Sequence, residues 1–297
     1  MKLKDLFAYV NERFPVINTA LFAILFLTVY SVADFFWPRF SPAGLGWREA
    51  WGMAAVVSFF FRLRVFDEQK DYALDAVNHP HRVLQSGRVT LGQLRNVSLA
   101  GALLELTWSV IMGTPTLVCW LLAVSYSLLM RYEFFVSRYL QERLVLYALT
   151  HMLIMPFVIG WVWSAYVPDY SMTAPLVLLA VLSLLGGFSF EIARKIHAPE
   201  AERELIDSYS KAMGYATAIV TVLLVLLTSV AVQCYLLITL QAHALPFVVI
   251  GLLYLLTLTT YLYSLTKPQE KTLKAAQVLV SLSMLVSYLS VILVVNV

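Results

Sequence analysis

The chain has 297 residues, 60% of them hydrophobic and 13% charged, with a mean hydropathy of +0.77. That mix excludes a soluble globular domain and places the chain in a membrane. The formal net charge of +3 is accounted for by membrane topology, as shown below, and gives no reason to invoke nucleic acid as a partner.

Crossing roughly 30 Å of hydrocarbon takes about 20 apolar residues per helix. Nine runs qualify: Pro15 to Trp37, Trp47 to Val65, Leu91 to Ile111, Pro115 to Met130, Leu146 to Val167, Ala174 to Phe190, Tyr209 to Leu236, Ala244 to Leu265 and Leu273 to Val295. The expected fold is therefore all-α, a single polytopic membrane domain over residues 1–297. The run after Arg13 is too long for a signal peptide and lacks a small-residue cleavage site, so it is read as the first span. Cys119 and Cys234 each stand alone inside a run, which fits packing better than a disulfide or a metal.

Basic residues orient the chain. Lys2, Lys4 and Arg13 precede the first run. Arg62, Arg64, Lys70, Arg82, Arg88 and Arg95 follow the second, and Arg131, Arg138 and Arg143 follow the fourth. Arg194, Lys195, Arg203 and Lys211 follow the sixth, and Lys267, Lys271 and Lys274 the eighth. Only Arg39 and Arg48 fall on the other side, so the N-terminus is expected in the cytoplasm and the C-terminus outside, in a bacterial inner membrane.

Acidic residues gather on the same cytoplasmic face. Asp67, Glu68, Asp71 and Asp75 follow the second run; Glu191, Glu200, Glu202, Glu204 and Asp207 follow the sixth. If the second helix continues past the membrane, Asp67, Asp71 and Asp75 recur every four residues along one face. Like charges at that spacing repel, so a counter-ion is called for. Either Arg64 and Lys70 supply it, as on an ordinary solvated helix end, or a hard cation such as Mg²⁺ does, which binds one or two carboxylates together with substrate phosphates. Arg82 and Arg88, just downstream, have the forked geometry that matches phosphate oxygens. Metal plus arginine suggests a diphosphate.

"DEQKDYALD" followed by "NHPHRVLQSGRVT" resembles the first aspartate-rich motif of the UbiA superfamily of intramembrane prenyltransferases, NDxxDxxxD followed by RPxxxG. Asp67, Glu68, Asp71 and Asp75 fall on the acidic and amide positions, Arg82 on the arginine and Gly87 on the glycine. Asp67 replaces the usual Asn, Glu68 the usual Asp, and Val83 the Pro. "GGFSFEIARKIHAPEAERELIDSYSKAMG" resembles the second motif, with Glu191 as the first acid of its DxxxD and Lys195 in the place of the second. Glu200 and Glu202 are candidates to replace that acid. "YSLLMRY" resembles the family's tyrosine-containing segment ending in a basic pair, with Tyr126 and Arg131 matching and Met130 in place of lysine.

The resemblance implies nine transmembrane helices around a lipid-open cavity, with a cytoplasmic cap formed by loops at about 66–90 and 191–208. It also implies an isoprenyl diphosphate donor, a lipophilic acceptor and membrane lipid as partners, with Mg²⁺ as cofactor. In that reading Asp67, Asp71 and Glu191 hold the metal, Arg82, Arg131 and Lys195 grip the diphosphate, and Asp75 and Tyr126 join the catalytic group. Loss of diphosphate leaves an allylic cation that needs a dry pocket and aromatic faces. Glu68, Tyr72, Trp108 and Tyr132 are pocket candidates, as is Glu105, an acid within a span, although Glu105 could equally lie near an interface. A terpene cyclase on the same scaffold is the alternative activity. A transporter is the reading from another class, opposed by acids that cluster at the surface and not near the bilayer midplane.

Overall fold

The computed structural model describes residues 2–38, 45–167, 172–203 and 207–296, and the described residues form helices and no strands. Among the described residues, seven helical segments are long and apolar enough to cross a membrane: Val16–Phe36, Thr114–Arg131, Leu144–Ser164, Ala174–Arg194, Tyr215–Thr239, Ala244–Thr266 and Glu270–Asn296. The two other expected spans are also helices, Trp47–Asn78 and Leu91–Met112. They are long enough, but charges interrupt their apolar character: Arg48, Glu49, Arg62 and Arg64 in the first, Arg95 and Glu105 in the second. Arg39 and Glu204 lie outside the described residues.

The chain forms two compact units, Met1–Phe134 with Trp161–Tyr170, and Phe135–Gly160 with Ser171–Val297. The first contains α1 (Leu3–Arg13), α2 (Val16–Phe36), α3 (Trp47–Asn78), α4 (Leu91–Met112) and α5 (Thr114–Arg131). Helix α3 is its axis, with α2, α4 and α5 packed against it. At 32 residues and 1.5 Å per residue, α3 is about 48 Å long, so its last turns must extend past a hydrocarbon layer of roughly 30 Å. Those turns carry the acids. Residues 66–78, expected as part of a cap loop, are therefore helical, and only 79–90 are irregular.

Close packing in this unit depends on a missing side chain. A Cβ at Gly52 would collide with the rings of Phe26 on α2 and Trp108 on α4. With only hydrogen there, the three helices approach closely enough for dispersion contacts, which drive helix association where water cannot. Trp108 is fully buried; its indole N–H donates to the Arg48 carbonyl at 2.9 Å, and its ring meets Trp161 edge-on. The irregular segment turns at Gly87, whose φ of 77° suits glycine alone. It ends in a capping box on α4, where the Thr90 hydroxyl accepts from Gln93 N–H at 3.2 Å and the Gln93 side chain accepts from Thr90 N–H at 3.1 Å.

The second unit holds α6 (Ser137–Gln141), α7 (Leu144–Met152), most of α8 (Ile154–Ser164), α9 (Ala174–Arg194), α10 (Tyr209–Met213), α11 (Tyr215–Thr239), α12 (Ala244–Thr266) and α13 (Glu270–Asn296). The expected span from Leu146 to Val167 is broken at Leu153. Pro156 follows within a turn, and its missing N–H removes one bond that a continuous helix would need. The expected span from Tyr209 is likewise two helices, because Gly214 adopts φ 88° between α10 and α11. Inside the unit, Gln233 on α11 donates to Ser287 O at 3.2 Å and Ser290 Oγ at 2.9 Å on α13. Its exposed faces remain apolar, with Leu224, Leu252, Leu255, Val278 and Leu293 all more than half exposed. An aqueous surface would not tolerate that, and a lipid surface requires it.

Candidate metal-diphosphate site

Within the first unit, the acids at the end of α3 fall into two groups by their partners. Glu68 and Asp75, seven residues apart, point toward arginines. Arg13 on α1 donates to Glu68 at 2.6 Å and reaches Asp75 at 3.4 Å. Arg64, one turn back, meets Glu68 at 2.8 Å. Arg82 closes on Asp75 at 2.6 Å. Glu68 is buried to 1% exposure, so its charge persists there only because guanidinium groups neutralise it. The expected stripe of Asp67, Asp71 and Asp75 is thus divided by partner: Asp75 is engaged by Arg82 and Arg13, while Asp71 lies close enough to feel its charge.

Asp67 is half-buried and Asp71 exposed, one turn apart. Among the described residues Asp71 makes no ion pair. Its carboxyl is nevertheless pushed above the ordinary aspartate range of 3.8, first by partial desolvation and then by Asp75, Glu68 and Glu133, with Lys70 opposing. An anion crowded in this way is stabilised by an added cation. The sign is definite: as pH falls through the raised value, Asp71 protonates and loses its capacity to attract that cation. The acid limb of kcat/KM, which reports the free protein, is therefore expected above 3.8. A pH–rate profile over the acid range checks this, with Asp71→Asn lacking the limb.

The end of α5 approaches the same turns. Arg131 lies over the Phe66 ring at 5.0 Å and the Tyr132 ring at 5.5 Å. Lys70 pairs with Glu133 at 3.4 Å. Glu133, Phe134 and Phe135 all have positive φ, a conformation that disfavours L-residues and is held only by its surroundings. Tyr126 meets Phe134 edge-on at 5.5 Å. Tyr72 and Tyr132 are exposed. Asp67, Asp71, Arg82, Arg131, Tyr126, Tyr72 and Tyr132 are thus all placed around the acid end of α3 or the segments tied to it.

Two pocket candidates are placed elsewhere. Trp108 contacts Arg48, near the opposite end of α3 and about 28 Å along the helix from Asp67, so it belongs to the packed core and not to a pocket around the acids. Glu105 is fully buried and holds Arg62 on α3 at 2.7 Å, with Trp120 donating at 3.1 Å and Ser58 at 3.2 Å. Arg62 also donates to Ser127 at 3.2 Å and lies over the Phe59 ring at 4.6 Å. Arg62 was counted with the cytoplasmic charges; it is buried, and Glu105 is its counter-ion. The pair joins α3, α4 and α5.

The second motif, in the other unit, is neutralised locally. Glu191 meets Arg194 at 2.5 Å and Lys195 at 3.0 Å. Both acids considered as replacements for the missing carboxylate have partners within this unit. Glu200 accepts from Glu270 N–H at 2.9 Å at the start of α13, and Glu202 accepts from the Ser208 hydroxyl at 2.8 Å and pairs with Lys211. Glu270, overlooked in the sequence, fixes this loop by accepting from Ala198 N–H at 3.1 Å and meeting His197 Nδ1 at 3.1 Å. Arg13, Arg62 and Glu133 were likewise not singled out. Their roles depend on partners distant in sequence, which short-range spacing cannot reveal.

Residues 43–286 match the UbiA prenyltransferase family. The chain belongs to the UbiA prenyltransferase family. The fold agrees with solved UbiA structures. One, of a digeranylgeranylglyceryl phosphate synthase, is 16% identical, with 99% of this chain and 100% of that chain covered and a TM-score of 0.70. The apo structure of a UbiA homologue from Aeropyrum pernix K1 is 16% identical over 90% of this chain and 96% of its own, with a TM-score of 0.63. A UbiA homologue from Archaeoglobus fulgidus bound to GPP and Mg²⁺ is 12% identical over 96% and 99%, with a TM-score of 0.53. No curated protein matches the chain.

Among the described residues no three His, Cys, Asp or Glu side chains converge into a ready-made metal cage. Asp67 and Asp71 still fit Mg²⁺, because that ion is commonly held by one or two carboxylates with the remaining ligands from phosphate and water.

Proposed function

We propose that this chain is a Mg²⁺-dependent intramembrane prenyltransferase that moves an isoprenyl group from its diphosphate to a lipophilic acceptor. One observation carries the reading. The acid end of α3 carries Asp67 and Asp71, and the same turns of the helix hold two arginines, Arg82 through Asp75 and Arg131 over the Phe66 ring. A UbiA homologue from Archaeoglobus fulgidus bound to GPP and Mg²⁺ supports the choice of ligand class.

In this reading Asp67 and Asp71 hold the ion, which would supply Lewis-acid neutralisation of the leaving diphosphate. Arg82 and Arg131 bind its oxygens and grow more favourable as charge develops on it. Tyr126, Tyr72 and Tyr132 offer aromatic faces to positive charge on the departing prenyl group. Helices α3 and α4 complete a nine-span chain over residues 1–297, with the N-terminus in the cytoplasm of a bacterial cell and the C-terminus outside. Lys and Arg placement supports that orientation.

The test is product analysis of purified protein with Mg²⁺ and a prenyl diphosphate panel, with and without a mixture of lipophilic acceptors. Alkylated acceptor formed only when acceptor is present supports the proposal. A cyclic hydrocarbon or alcohol formed without acceptor replaces it with a cyclase.

A further inference from the structure

The family match begins at residue 43, so α1 lies outside it. Two charged side chains of α1 are nevertheless committed to the segment that carries Arg82 and Arg88, and a third to the acids of α3. Asp5 accepts from Arg88 at 3.1 Å. Glu12 accepts from Val83 N–H at 2.9 Å, next to Arg82. Arg13 bridges Glu68 and Asp75. Beneath them, Tyr9 packs in a closed apolar cluster with Val65, Val83, Leu84, Val89 and Leu94. The helix is therefore docked through both faces of the problem, apolar contact below and ion pairs above.

Asp75 is the shared element, with Arg82 at 2.6 Å and Arg13 at 3.4 Å. Left alone, Glu68 and Asp75 would repel a diphosphate arriving at the neighbouring face. Arg13, Arg64 and Arg82 set three guanidinium groups against those two carboxylates, so that neither stands without a counter-charge. Arg82 also stands on an irregular segment, where a long side chain would otherwise sample many rotamers and lose that freedom on binding.

We propose that α1 is a clasp on the diphosphate site and that Arg13 is a positioning residue, acting through Asp75 to hold the Arg82 guanidinium ready for phosphate. This rests on the functional reading above. Arg13 itself touches no substrate.

The experiment measures equilibrium binding of a non-reactive prenyl thiolodiphosphate to the full-length protein with Mg²⁺ in nanodiscs. Arg13→Ala is expected to raise Kd about tenfold, through lost preorganisation. Arg82→Ala is expected to raise it at least as much. If Arg13 acts through Arg82, the double variant binds within about twofold of Arg82→Ala. Arg13→Lys keeps the charge but cannot fork between two carboxylates, so it is expected to restore only part of the affinity. It also carries the test if Arg13→Ala does not fold. Wild-type affinity in both Arg13 variants would overturn the proposal, as would single losses that multiply in the double variant. Absence of binding by the wild type would instead refute the functional reading.

Discussion

Glu105→Leu is expected to destabilise the protein by about 3–5 kcal/mol, the cost of stranding a buried charge. Glu105 is fully buried, and its two carboxylate oxygens take up Arg62, Ser58 and Trp120. The Arg62 side chain is only 6% exposed, so removal of its partner leaves a cation that water cannot reach. Arg62→Met/Glu105→Leu removes both charges at similar volume and is expected to recover most of the loss, because a buried ion pair and a well-packed apolar pair are often near parity. Thermal or SDS-induced unfolding in detergent measures both. Equal destabilisation in single and double variants would show that packing, and not the uncompensated charge, sets the cost.

Asp71→Ala is expected to lower kcat/KM by about 10²–10³, equivalent to roughly 3–4 kcal/mol of transition-state stabilisation. Asp71 is exposed at the end of α3, so its removal leaves the fold intact and the loss is chemical. Asp75→Asn provides the contrast. Asp75 anchors Arg82 and Arg13, so its loss is expected mainly in KM for the diphosphate. The Mg²⁺ concentration for half-maximal rate should rise in Asp71→Ala and stay near wild type in Asp75→Asn. Steady-state kinetics across a Mg²⁺ titration separates the two, and identical behaviour would erase the division of labour between the acids.

How much of this was legible beforehand follows from the range of each interaction. Apolar runs announce helices because burial in lipid needs only local composition, and the acids at the end of α3 were visible because they lie close together in the sequence. The division of Asp67 and Asp71 from Glu68 and Asp75 was not, since it depends on Arg13, 55 residues away. Arg62 was assigned to the cytoplasm because a basic residue near a span end usually is; its counter-ion stands 43 residues later on another helix. The break at Gly214 could have been read from a glycine inside an apolar run. The local neutralisation of Glu191 was visible in part, since Lys195 four residues on has a helical reach to it.

In the proposed function the acid end of α3 binds a prenyl diphosphate through Mg²⁺. Calorimetric titration of the purified protein with a non-reactive prenyl thiolodiphosphate, with and without Mg²⁺, tests it most directly. Saturable binding that requires Mg²⁺ and is lost in Asp67→Ala/Asp71→Ala is the expected result. Binding of equal strength in the absence of the metal, or binding that survives removal of both aspartates, would contradict it.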